Sequence, residues 1–301
     1  MKIFLNIIRI FLGIVFILSA STKFFSLDEF EIYIFSHNFL SLNISFIVAR
    51  VLIGFELFTG ILLISNIYFK QIRLFSILTL VGFTVYLAIM AIKGSGENCH
   101  CFGEFLKMTP IESILKNGIL LLLFIPLKNN LGYNFKYKKI ISIVLLLICI
   151  SLPTLISPPD FVYPEMYSKI AVVNKNGLDS LVLDNNKFPI KCDSGKKVLC
   201  FYSPQCRFCK LSEKKISSII TRNKLDKNKF AAIFWGNPKK LNQFYDVNSI
   251  KLETAFIETQ DFFSITDGKM PLILLIEDKV IKEKFGYRSI DEDAIVKFLN
   301  E

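Results

Sequence analysis

No arginine-rich stretch and no basic patch interleaved with aromatic side chains occurs in this 301-residue chain, although its net charge is +10. A nucleic-acid backbone is gripped by clustered cations, so that absence sets nucleic acid aside as a partner. Cysteine is also sparse. Its seven residues fall as two close pairs and three singles, too few and too uneven for the framework of a secreted disulfide scaffold. No second ligand pair follows Cys206-Arg207-Phe208-Cys209, which argues against a closed zinc site. What the chain has in excess is hydrocarbon: 52% of residues are hydrophobic and 30 are Phe, with the excess concentrated before residue 158. An ordinary soluble protein of this length is less apolar.

Five apolar runs, at about residues 3–22, 44–68, 72–93, 110–128 and 139–157, approach the ~20 residues that cross a ~30 Å hydrocarbon core. With the N-terminus in the cytoplasm, the inner loops carry Lys2, Lys70, Arg73, Lys128, Lys136, Lys138 and Lys139 without one acid. The outer loops mix Lys23, Lys93 and Lys107 with Asp28, Glu29, Glu31, Glu97 and Glu104. The positive-inside rule selects that orientation. Five crossings then leave the loop with Cys99, His100 and Cys101, and everything after residue 158, on the extracytoplasmic side of the lipid bilayer. The alternative for the first run is a cleaved signal peptide ending near Ser19-Ala20-Ser21, although Arg9 interrupts its apolar core.

Charges inside spans are costly and usually paired. At 1.5 Å per residue, Arg9 lies roughly 9 Å from the inner end of its run and Glu56 roughly 18 Å from the outer end of the next. Those depths nearly coincide and predict an Arg9–Glu56 ion pair. Arg50, Lys116 and Asn117 lie nearer the outer surface, where long side chains snorkel or line a polar pocket. Thr109-Pro110-Ile111-Glu112 spells a capping box with Pro at the first helical position. The cysteine loop before it contains Gly94, Gly96 and Gly103.

In chain order, Arg9-x-x-x-Gly13-x-x-Phe16, Lys23, Phe30-Glu31-Ile32-Tyr33, Glu56-Leu57-Phe58-Thr59-Gly60 and Cys99-His100-Cys101-Phe102-Gly103 resemble the MauE branch of the DoxX-like membrane proteins over about residues 1–128. The resemblance implies a membrane four-helix bundle and a role in redox maturation of exported proteins. The family name refers to methylamine utilisation, and no residue here points to methylamine itself. A disulfide between Cys99 and Cys101 closes a small ring away from relaxed geometry, and is therefore expected to accept electrons readily. His100 is expected to stabilise a thiolate or shuttle a proton, against the plainer alternatives of a loop residue or a metal ligand.

After Ser157-Pro158-Pro159-Asp160 the composition turns to mixed charged and apolar residues. About 140 residues suffice for one compact domain. The pattern predicts a hairpin over 172–183, a buried strand over 197–203, a helix from Cys206 to Thr221, a strand over 230–235 and a helix over 238–246. A hairpin of 272–276 with 280–285 and a last helix over 291–299 complete it. This order resembles a thioredoxin-like α/β domain over residues 166–301. The chain thus divides into a MauE/DoxX-like transmembrane domain at 1–137, a fifth transmembrane helix and linker at 138–165, and the extracytoplasmic domain.

The resemblance implies that Cys206 is the nucleophile, that Cys209 resolves the mixed disulfide, and that Met270-Pro271 holds a cis-proline beside them. Arg207 is expected to lower the Cys206 pKa. Two departures stand out: Gln205 replaces the aromatic residue that often precedes the first cysteine, and Cys200 occupies the strand position that is an acid in thioredoxin. Cys149 and Cys200 are expected to be small apolar fillers; Cys192 lies eight residues before Cys200, and the strand assignment of Cys200 argues against their pairing. Taken together, these residues predict a membrane thiol–disulfide oxidoreductase acting on exported cysteine-containing proteins, with an electron relay between Cys206/Cys209 and Cys99/Cys101 whose direction the sequence leaves open, the lack of cysteines in the inner halves of the spans favouring flow toward the loop. A membrane quinone is the expected final acceptor, and no covalently bound cofactor or metal is expected. The alternative is a membrane-anchored assembly factor that uses the same four cysteines as soft copper ligands.

Overall fold

A computed structural model describes residues 2–92, 108–129, 132–162, 166–167, 173–174, 195–245 and 249–301. The expected 172–183 hairpin falls almost wholly outside them.

The membrane part is all helical: α1 Lys2–Phe25, α2 Leu27–Ser36, α3 Leu42–Ser65, α4 Phe69–Ile92, α5 Pro110–Phe124 and α6 Lys138–Ile156. Among the described residues, four helices are long and apolar enough to cross a membrane: α1, α3, α4 and α6. Their outward faces are Ile, Leu, Val and Phe, as on α6, where Ile140, Val144, Leu147 and Leu155 are exposed. A helix with apolar side chains turned outward is at home in lipid. The fourth of the five expected spans is shorter than the rest. α5 has 15 residues, about 22 Å of rise, because Pro126 removes a backbone donor and the chain tightens into a 3-10 turn over Pro126–Asn129. Its start follows the sequence: Thr109 Oγ accepts the Glu112 amide at 3.3 Å, and the Glu112 carboxylate accepts the Thr109 amide at 2.8 Å.

Glycines set the spacing of the bundle. A β-carbon added at Gly13 on α1 would lie 2.8 Å from the Gly60 carbonyl oxygen on α3, and one at Gly60 would lie 2.7 Å from the Gly13 carbonyl oxygen. Gly54 meets α6 in the same way, 2.7 Å from the Cys149 carbonyl oxygen. In lipid no hydrophobic force drives helices together, so such close backbone contact is a main source of attraction.

The Gly13–Gly60 crossing fixes a register that overturns the expected Arg9–Glu56 pair. One turn before Gly13, Arg9 falls beside the last turn of α3 and donates to the carbonyls of Leu63 and Ile64. These lie among the orphan acceptors at a helix C-terminus. Glu56 falls opposite the outer half of α1, where Lys23 forms its ion pair and Ser19 donates to it at 3.1 Å. Arg9 and Glu56 thus sit on opposite sides of the crossing, about two helical turns or roughly 12 Å apart, and the expectation that they share a depth was wrong. Arg50 does not snorkel: it is buried, paired with Glu31, and its Nε and Nη2 donate to the Ser157 carbonyl at 2.9 and 2.8 Å. Asn117 joins α5 to α4 through Thr84 at 3.2 Å.

Among the described residues the C-terminal part has a five-stranded mixed sheet built from β1 Lys196–Tyr202, β2 Phe230–Phe234, β3 Glu253–Phe256, β4 Leu272–Glu277 and β5 Val280–Phe285. Its order is β3-β2-β1-β4-β5. β1 lies parallel to β2 (Tyr202 opposite Phe234) and antiparallel to β4 (Phe201 opposite Leu272). β2 is buried at every position, as a central parallel strand covered on both faces must be. α7 Arg207–Asn223, α8 Thr259–Thr266 and α9 Glu292–Asn300 complete the domain. Asp278 and Lys279, both at positive φ (48° and 67°), turn the β4–β5 hairpin. The architecture is a helical membrane part followed by a thioredoxin-like α/β domain. Two details differ from the sequence expectation: residues 238–243 form a 3-10 helix rather than an α-helix, and the edge strand β3 and helix α8 were not anticipated.

Candidate functional site

The parallel strands β1 and β2 end at one edge of the sheet, and the chain leaves β1 there through Ser203-Pro204-Gln205. The Cys206 amide closes this turn on the Ser203 carbonyl at 3.1 Å. Cys206 is thereby placed as the N-cap of α7, with extended backbone (φ −80°, ψ 119°), and its Sγ accepts the Cys209 amide at 3.2 Å. A helix N-terminus offers unpaired N–H groups and the positive end of its dipole to that sulfur. Gln205, in the place of an aromatic residue, is exposed.

The two sulfurs of the motif are treated in opposite ways. Cys206 is half-buried and its pKa falls to about 7: a hydrogen bond from the Cys209 thiol is the main cause, and the Cys209 and Phe208 amides add to it against the cost of burial. Cys209 is fully buried, and burial, followed by Cys206 itself, drives its pKa far up. One thiol is ionised near neutrality and the other is held protonated behind it. The lowering of Cys206 comes from its own turn of helix, not from the expected Arg207, whose guanidinium sits 5.7 Å from the Phe208 ring centre.

Met270–Pro271 is a cis peptide. Because Leu272 pairs with Phe201, Pro271 lies beside the end of β1, where the Cys206 turn begins. The structure thus gathers Cys206, Cys209 and Pro271 at one edge of the sheet. Cys99, His100, Cys101 and Cys192 lie outside the described residues. Cys149 is buried against Gly54, and Cys200 is buried in β1 with its pKa pushed up to about 12, chiefly by burial. Neither has the exposure that a reactive thiol needs. For copper, Cys206 and Cys209 offer two sulfur donors, and among the described residues no three His, Cys, Asp or Glu side chains come together.

Sequence reasoning missed two features. In α7, Glu213 is buried four residues after Cys209, a spacing that puts both on one helix face. In the bundle, Lys116 and Asn117 do line a polar pocket, but its other members, Ser19, Lys23, Tyr33, Glu56 and Tyr86, were missed; the cavity has about 60 Å³ and is walled by Phe16, Phe30 and Phe83. The Tyr33 and Tyr86 hydroxyls meet there at 3.0 Å.

Residues 1–127 match the family model of the methylamine utilisation protein MauE. Protein TlpB of Flavobacterium psychrophilum is 30% identical to the chain, the match covering 72% of each sequence. No solved structure matches. The comparisons and the paired cysteines describe a membrane protein of thiol redox chemistry: the chain belongs to the family of protein TlpB, with a MauE domain as its membrane part.

Proposed function

We propose that the protein is a membrane-bound thiol–disulfide oxidoreductase that matures exported cysteine-containing proteins, with Cys206 and Cys209 handing electrons to Cys99 and Cys101. One observation carries this: a half-exposed Cys206 at a helix N-cap, with its pKa near 7, backed by a buried Cys209 held protonated. That pairing separates an attacking sulfur from a resolving one.

In the oxidising direction a substrate thiolate attacks Cys206 Sγ of the Cys206–Cys209 disulfide. The new bond joins substrate to Cys206, and Cys209 leaves and takes up a proton. A second substrate thiolate then attacks the substrate sulfur of that mixed disulfide and releases Cys206 as a thiolate. The substrate has lost two electrons and the domain has gained them. The reduced Cys206 next attacks a Cys99–Cys101 disulfide, Cys209 resolves the product, and the electron pair moves to the membrane loop. The apolar cis-Pro271 edge offers the backbone of Met270 to an extended substrate strand.

A membrane quinone is the proposed final acceptor. The bundle cavity is not offered as its seat. At about 60 Å³ it has less than half of the ~150 Å³ that holds a benzene ring, and a polar lining of this kind suits water. Copper handling has no observation in its favour beyond the two sulfurs.

The test is a Cys209→Ala variant of the full chain, expressed in cells and quenched with acid. Mixed disulfides between Cys206 and exported proteins are expected, and their loss in Cys206→Ala/Cys209→Ala. A Cys209→Ala variant whose Cys206 stays a free thiol throughout growth would contradict the proposal.

A further inference from the structure

Resolution of a mixed disulfide needs Cys209 as a thiolate, and the structure makes that thiolate expensive. Its sulfur is fully buried, at the motif position closest to the sheet. In thioredoxin an acid on the neighbouring strand takes the proton, and Cys200 stands there instead. Glu213 is the buried acid that remains in this region. It is 1% exposed, and its oxygens accept the Ser217 hydroxyl at 2.5 Å and the Ser249 hydroxyl at 2.7 Å. A satisfied carboxylate inside a core is costly to build and is kept where it has a task.

From Cys209 to Glu213 is one helical turn, with β-carbons about 6 Å apart. Tyr202, at the end of β1, is buried, with its ring 5.9 Å from Phe234 and 5.6 Å from Phe244 and its hydroxyl against the Cys200 thiol. Tyr202 feels Cys200, Glu213 and Cys209 together, and all three raise its pKa further after burial. Cys200 and Tyr245 also face Glu213, and the pKa of each is pushed up to about 12, mainly by burial. Two cations of α7 are engaged elsewhere: Lys210 donates to the Gln243 carbonyl at 3.0 Å and Lys215 pairs with Asp160 at 3.1 Å.

We infer that Glu213 accepts the Cys209 proton during disulfide resolution and returns it in the reverse step. The helix thus supplies the acid that the strand lacks. The step balances: the proton passes from Cys209 to the carboxylate, the Cys209 thiolate attacks Cys206 Sγ, a Cys206–Cys209 bond forms, and the partner sulfur leaves as a thiolate with the electron pair. This inference rests on thiol exchange at Cys206, as proposed above, and can fail without it.

The experiment uses the full chain in lipid nanodiscs, reduced, with Cys99, Cys101, Cys149 and Cys192 replaced by alanine, and 5,5′-dithiobis(2-nitrobenzoate) as the probe disulfide. Attack by Cys206 releases one thionitrobenzoate, and resolution by Cys209 releases a second. Glu213→Gln is expected to leave the first phase within twofold and to slow the second about 100-fold at pH 7, in the range of general-base effects. The residual rate should climb about tenfold per pH unit as hydroxide takes over, and Glu213→Asp should recover part of the loss. If Glu213 acted merely as a nearby negative charge, its removal would ease Cys209 ionisation and speed the second phase. A second phase unchanged or faster in Glu213→Gln, or both phases slowed equally, overturns the inference. Absence of the first phase in the parent variant overturns thiol exchange itself.

Discussion

At Cys206 two effects of opposite sign meet, and the turn that holds it decides between them. Half-burial disfavours the thiolate, while the Cys209 thiol and two amide N–H groups stabilise it and bring the pKa to about 7. Below pH 7 each unit of acidity should therefore cut the alkylation rate of Cys206 about tenfold, and above pH 8 the rate should level off, because the thiolate is the reacting form. Peptide-resolved iodoacetamide labelling measures this, and a midpoint near 9 would contradict the geometry. Charged residues in the bundle behave differently. Lys23 and Glu56 are 5% and 12% exposed, so Lys23→Ala strands a buried carboxylate and should cost about 3–5 kcal/mol, whereas Lys23→Met with Glu56→Gln should recover most of it. Thermal unfolding in detergent distinguishes the two. At this scale much was legible in the sequence: the Thr109–Glu112 box and the helix start at Cys206 are local consequences of residue type and spacing, and the cis bond at Pro271 was implied by the resemblance to thioredoxin-like domains. The partners of Arg9 and Glu56 were not, because they depend on which helix faces meet.

Those faces are set at the scale of elements. Gly13, Gly54 and Gly60 let α3 lie against α1 and α6 with backbone in contact, and a single methyl group has no room there. Gly60→Leu should separate α1 from α3 and break the Arg9 contacts with Leu63 and Ile64. Tm is expected to fall by several degrees, while Gly82→Leu, at a glycine with open space around it, should leave Tm within a degree. The sheet shows the same division between local and distant signals. β1, β2 and the β4–β5 hairpin could be read from continuous apolar runs and a turn. β3 escaped notice because it is a four-residue edge strand with its first two side chains exposed, too short for a period to register. The 238–243 segment carries a Pro start and an Asn237 cap, signals shared by 3-10 and α-helices. Glu213 was overlooked for a related reason: a glutamate in a helix reads as solvated until the fold buries it.

For the whole molecule, the sidedness of the two cysteine pairs depends on how many helices cross. Four helices are long enough alone. α5 with the 3-10 turn after it rises about 30 Å in all, at 1.5 and 2.0 Å per residue, the thickness of a hydrocarbon core. The proposed relay requires a fifth crossing by this segment, which would leave Cys99, Cys101 and the C-terminal domain on the same side of the bilayer. The proposed relay joins Cys206 to the membrane loop by a covalent bond, and that bond is directly observable. The decisive measurement is mass spectrometry of the Cys209→Ser full chain, acid-quenched from growing cells and digested without reductant. A peptide linking Cys206 to Cys99 or Cys101 is expected, and it should vanish when both loop cysteines are replaced by serine. Cys206 found free, or joined only to other proteins, would contradict the relay.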